Sequence, residues 1–137
     1  MAAYVKYTAG VEPLLENINS GSDTWKLALS NTFTVGDTTF TPGTTDLATA
    51  SGYTAGGVTL TTSSATQSGG VYKLVLATPG SPTWTFSGAV TFRYVILWDS
   101  TTSTPVGSWD YGSSITTVSG DTFTATLDGT NGVFQVT

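Results

Sequence analysis

Residues 92–98 read Phe92-Arg93-Tyr94-Val95-Ile96-Leu97-Trp98, and this run decides the fold. Strict alternation places Phe92, Tyr94, Ile96 and Trp98 on one face and Val95 and Leu97 on the other, beside Arg93. Both faces are apolar, which is the pattern of a central strand covered on its two sides. Outward from it, Phe123, Ala125 and Leu127 alternate with threonines, as in a half-buried strand, and Trp25, Leu27 and Leu29 share one face of 24–30. Further strands are expected near 58–62, 70–77, 83–86, 90–98, 105–111, 121–127 and 133–136. The connections carry turn chemistry: Gly56-Gly57, Gly69-Gly70, Pro79-Gly80, Ser119-Gly120-Asp121 and Asp128-Gly129. Short strands at this spacing predict an all-β fold, an antiparallel β-sandwich of immunoglobulin-like or jelly-roll-like type.

The first 30 residues read as strand, short helix, strand. Tyr4, Val5 and Tyr7 are β-prone, and Val11, Leu14, Leu15 and Ile18 fall at helical spacing over 11–19. Pro13 fits a first turn, where its missing N–H is not needed, and Glu12 suits the positive end of the helix dipole. Ser20-Gly21 is the expected stop. A helix this short is marginal alone and must dock its leucine face. Residues 31–46 form a long polar loop, or a small hairpin around Gly36-Asp37, closed by Pro42-Gly43. The whole chain, 1–137, thus reads as one sandwich domain with its main strands in 57–137 and one short N-terminal α-helix.

Composition narrows the chemistry. The 137 residues include four Lys or Arg, nine Asp or Glu, no Cys and no His, for a net charge of −5. Hydrophobic residues make up 39%, enough for a core, while only 9% are charged, so little material exists for solvated helix faces. The missing His and Cys remove the common serine triad, thiol nucleophiles and Cys/His zinc sites. Lys6, Lys26, Lys73 and Arg93 form no cluster along the chain, which argues against nucleic acid as a partner, because phosphate binding depends on grouped cations. Neither a secretion signal nor an apolar membrane span is legible, so no membrane partner is expected.

Five blocks in order carry a resemblance: Lys6-Tyr7-Thr8-Ala9 with Val11-Glu12 and the run from Gly21-Ser22-Asp23-Thr24-Trp25 to Asn31-Thr32; Gly52-Tyr53-Thr54-Ala55-Gly56-Gly57; Ser68-Gly69-Gly70-Val71-Tyr72-Lys73-Leu74; Phe92-Arg93-Tyr94-Val95-Ile96-Leu97-Trp98-Asp99; and Trp109-Asp110-Tyr111-Gly112-Ser113-Ser114-Ile115. Together they resemble a family of small virion structural proteins of tailed bacteriophages. The stretch 33–42 departs from that pattern. The resemblance implies a non-enzymatic virion component of capsid decoration or cement type. It would stabilise the head by binding the outside of the major capsid lattice, as a self-associating dimer or trimer assembled in the bacterial cytoplasm. The alternative is a carbohydrate-binding module of the tail or adsorption apparatus, with a host-surface glycan as ligand.

The candidate contact residues follow from both readings. Tyr4, Tyr7, Val11, Leu14, Leu15 and Ile18 in the entry segment, with Phe33, Val35 and Phe40 in the long loop, are apolar enough to bind a neighbour. Trp84 and Trp109 are the candidate glycan contacts, whereas Trp25 and Trp98 lie on strongly apolar strands and belong to a core. Asp99, Asp110, Asp121 and Asp128 sit at strand ends, where turn capping accounts for them without a metal, and Glu12 and Glu16 read as solvated helix charges. No catalytic residue, cofactor or metal site is assigned. The Thr-X-Thr pieces at 59–61, 83–85 and 122–124 are β-branched surface. Arg93 on an apolar strand needs an anionic partner, first within the subunit and second across an interface.

Overall fold

A computed structural model describes residues 3–76 and 81–137. The Pro79-Gly80 turn falls outside the described residues. Ten strands form: β1 Ala3–Lys6, β2 Trp25–Ser30, β3 Val58–Thr59, β4 Thr62–Ser68, β5 Val71–Leu76, β6 Thr83–Thr85, β7 Thr91–Asp99, β8 Thr104–Thr116, β9 Thr122–Thr124 and β10 Phe134–Val136. Helix α1 is Val11–Glu16, entered through a 3-10 turn at Thr8–Gly10. It ends sooner than its apolar spacing suggests, because the amides of both Asn17 and Ile18 donate to the Pro13 carbonyl.

The strands make one sheet of five, in the order β1-β8-β7-β2-β3, one of three, β10-β5-β4, and one of two, β6-β9. Every pairing is antiparallel. The main core lies between the five-stranded sheet and the smaller ones. Trp25, Leu27 and Leu29 from β2, Phe92, Val95 and Leu97 from β7, and Leu74 and Leu76 from β5 all meet there. Each such side chain contributes about 1.5–3 kcal/mol on burial. This is the antiparallel β-sandwich with one short helix that the alternation predicts.

The central strand is covered on both faces, but its phase breaks once. Alternation alone puts Phe92 beside Tyr94, Ile96 and Trp98; in the structure it joins Val95 and Leu97 in the main core. The pairing shifts at that point, with Phe92 opposite Ile115 but Tyr94 opposite Asp110, so β8 carries surplus residues against one step of β7. A bulge of this kind turns the local strand and swaps faces. Arg93 is thereby brought to the surface, 38% exposed, where its guanidinium makes two 2.8 Å hydrogen bonds to the Asp110 carboxylate. The intramolecular partner for Arg93 is therefore Asp110.

On its other face the five-stranded sheet carries Tyr7, Ala28, Ile96 and Trp98, and the loop 31–46 lies over them. Phe40 stacks on Trp98 with ring centroids 4.1 Å apart, and Phe33 meets Tyr7 edge-on at 4.7 Å. The hairpin around Gly36-Asp37 does not form: no strand lies between Ser30 and Val58 among the described residues. The loop bonds to the rest of the domain instead, with the Thr8 amide donating to Val35 and the Phe40 amide to Ser103. Burying Phe40 outweighs local β propensity here. Where the chain returns, Gly57 has φ +75°, and a Cβ there would lie 1.8 Å from the Leu27 carbonyl oxygen, so only glycine permits this approach to β2.

The aspartates cap turns. Asp121 accepts from the Val118 amide, Asp128 from Thr130 and Asn131, and Asp99 from the Thr101 amide and Thr102 hydroxyl. Asp99 is fully buried, and desolvation raises its carboxyl above the usual range; the Thr102 and Thr101 bonds oppose this and the nearby Asp23 adds to it. Asp110 and Asp128 go the other way, lowered first by the Arg93 bond and by the Asn131 amide respectively. The signs separate them. A raised carboxyl gives stability that is full below the unfolded pKa and is lost as pH rises through the folded one; a lowered carboxyl gives stability that is lost as pH falls. Asp99→Asn is therefore expected to gain on the parent as pH rises from 3 to 7, in thermal unfolding across that range. A variant that loses ground on the same rise contradicts the assignment.

Candidate interaction surface

The β1 strand is an edge of the large sheet and β10 an edge of the three-stranded sheet. A groove of about 430 Å³ runs between them, lined by Tyr4, Lys6, Val11, Val133, Phe134 and Val136 among others. Its shape follows from the sequence of β1. Alternation sends Tyr4 and Lys6 to the groove face and Val5 and Tyr7 to the opposite one. The Tyr4 ring meets Trp109 edge-on at 5.2 Å and lies over Gly107, where a Cβ would come within 2.1 Å of the ring. The Tyr4 hydroxyl sits 3.4 Å from the Val106 carbonyl, and desolvation pushes the phenol up to about 12.

Exposed apolar surface collects at this end of the molecule. Tyr4 (37% exposed), Val11 (39%) and Val136 (46%) line the groove, while Val5 (41%) stands on the opposite face of the same β1 edge and Val35 is joined to the end of that edge by the Thr8 bond. Among the large apolar residues most exposed in the described chain, Val118 alone lies elsewhere. Lys6 is the charged side chain of the groove wall, and Glu12, the residue after Val11, is exposed on α1. No group of three or more His, Cys, Asp or Glu side chains converges among the described residues.

The contact residues expected from the sequence divide accordingly. Tyr4 and Val11 are exposed in the groove, and Val35 is exposed on the loop that Thr8 joins to the end of β1. Tyr7 and Phe40 are not available to a neighbour: they are 1% and 2% exposed, buried in the core under the long loop. Phe33 is half-buried against Tyr7 and Tyr94, and Ile18 packs against the main core. The side chains of Leu14 and Leu15 lie outside the described residues. The long loop is thus a flap on its own domain, not an arm. Trp84 and Trp109 are also corrected, being 4% and 7% exposed and packed into the main core, so neither ring offers a face to a sugar. Val5 and Val136 escaped the sequence reading. Val5 sits in the β-prone start and was discoverable as an edge residue; Val136 joins the patch only through the β10–β5 pairing.

No helix of the described residues is long and apolar enough to cross a membrane. Comparisons of the chain with models of protein families, with curated proteins and with solved structures find no match.

Proposed function

We propose that this chain is a non-enzymatic structural subunit of a tailed-bacteriophage virion, of capsid decoration or cement type, that binds the outside of the major capsid lattice and associates with copies of itself. The observation that carries the reading is the collection of exposed apolar side chains at two adjacent open sheet edges, a surface fit for a protein neighbour. The five ordered sequence blocks support the phage setting. The sparse and scattered cations suit a position away from packaged DNA. A weak contact per subunit suffices in such a role, because a lattice of linked contacts adds their effects. A glycan-binding tail module loses its support with the burial of Trp84 and Trp109.

Mass spectrometry and antibody labelling of purified particles test this. The expected result is the protein on the head surface in copies on the order of hundreds, as shell symmetry requires. Particles that lack it, or that carry it in a few copies at the tail tip, overturn the reading.

A further inference from the structure

We propose that β1 is a self-pairing edge: two copies join their β1 strands antiparallel about a two-fold axis beside Val5, so that the five strands of each copy continue into one sheet. The proposal deepens the structural-subunit reading and rests on it for its biological setting.

The backbone phase of β1 sets the register. Tyr7 donates its amide to Val106 on β8. Because inward and outward groups alternate along an antiparallel strand, Ala3 and Val5 also bond towards β8, while the N–H and C=O of Tyr4 and Lys6 point away from it. Thr8, the next outward residue, is already taken by Val35. Among the described residues, the open edge therefore offers two residues with both groups free, on either side of Val5. An axis at Val5 pairs Tyr4 with the second copy's Lys6, and Lys6 with the second copy's Tyr4. All the outward groups are then used in four hydrogen bonds. Val5 meets its own symmetry mate as the close, non-hydrogen-bonded pair.

Charge favours a second copy over another occupant. The groove wall carries one charge, Lys6, and none of its lining residues is acidic. A two-fold arrangement keeps the two ammonium groups apart and sets each one across from Tyr4 on the groove face. A basic partner strand would set its cations against Lys6. The edge itself is poorly defended against pairing, with one lysine, no proline and no bulge. An isologous contact of this kind closes at two copies.

The absence of cysteine makes the test direct. Val5→Cys places thiols on residues whose Cα atoms sit about 4.5 Å apart in such a pair, within disulfide reach. Tyr4→Cys and Lys6→Cys place them two residues out of register, beyond it. Under mild oxidation of the folded full chain, Val5→Cys is expected to form covalent dimer at least tenfold faster than either control. Lys6→Pro removes an outward N–H without touching the β8 ladder, so it is expected to leave circular dichroism unchanged and to convert a sedimenting dimer into a monomer. A folded Val5→Cys that stays monomeric, equal cross-linking of all three variants, or unchanged sedimentation of Lys6→Pro each overturns the proposal. Head labelling without cross-linking would sink the pairing alone; cross-linking without the protein on particles would sink the virion reading alone.

Discussion

Trp84→Ala is expected to lower stability by about 3–5 kcal/mol, the usual result of emptying a large aromatic site in a core. In calorimetry that corresponds to a fall in Tm of roughly 10–15 °C for a domain of this length. The size of the effect comes from what the ring holds. β6 and β9 are three residues each and, among the described residues, pair only with one another, an arrangement with no independent stability. Trp84 fixes this two-stranded sheet to the main core, with its ring tilted 5.8 Å from Phe123, which in turn meets Phe92 edge-on at 4.8 Å. The indole N–H is buried and has no hydrogen-bond partner among the described residues. Trp84→Phe therefore keeps most of the packing and removes an unpaired donor, so it is expected to lose far less than the alanine variant. Equal losses in the two variants would mean that the N–H, not the ring, matters.

The same tryptophan shows what the sequence could and could not convey. Trp84 sits between threonines, and alternation announces a strand with one exposed face and one covered face. It does not say which side faces water, and the threonines take the exposed side. Where both neighbours are apolar, as in 94–98, the reading was complete. It failed at Phe92 because a bulge is set by surplus residues on the partner strand, more than ten positions away. β4, Thr-Ser-Ser-Ala-Thr-Gln-Ser, gave no hydrophobic period to read; it exists because β5 offers it a ladder. The need of Arg93 for an anion was legible, but the choice of Asp110 among the strand-end aspartates required the β7–β8 register. The interaction surface was half legible: its β1 wall lies in one short stretch, while its β10 wall arrives from the opposite end of the chain.

Asp46→Ala is the second large effect, and its residue was not singled out by any local pattern. The carboxylate of Asp46 is buried and accepts three donors: the Gly43 amide at 2.6 Å, the Gly56 amide at 2.6 Å and the Tyr53 hydroxyl at 2.5 Å. Tyr53 is 1% exposed and accepts in turn from the Leu29 amide at 3.0 Å. This relay repairs a gap in the large sheet. β3 is two residues long and covers only Lys26 and Leu27 of β2, so among the described residues the ladder side of Leu29 has no strand beside it. The Tyr53 hydroxyl takes its N–H, and the Leu47 amide donates to its C=O at 3.0 Å. Burial, reinforced by the Asp46 bond, raises the Tyr53 phenol above its ordinary range, which favours the protonated form that donates to Asp46. Truncation at Asp46 strands the Tyr53 hydroxyl and the Gly56 amide. At about 1–3 kcal/mol for each buried unpaired group, the expected loss is roughly 3–5 kcal/mol. Tyr53→Phe strands the Leu29 amide instead, and because the two residues act through one relay, the double variant is expected to lose less than the sum of the singles. Hydrogen exchange gives the local signature: in Asp46→Ala the Gly56 and Leu29 amides should lose protection before those of β7. Strict additivity, or unchanged protection at Leu29, would show that β2 holds its free edge without the relay.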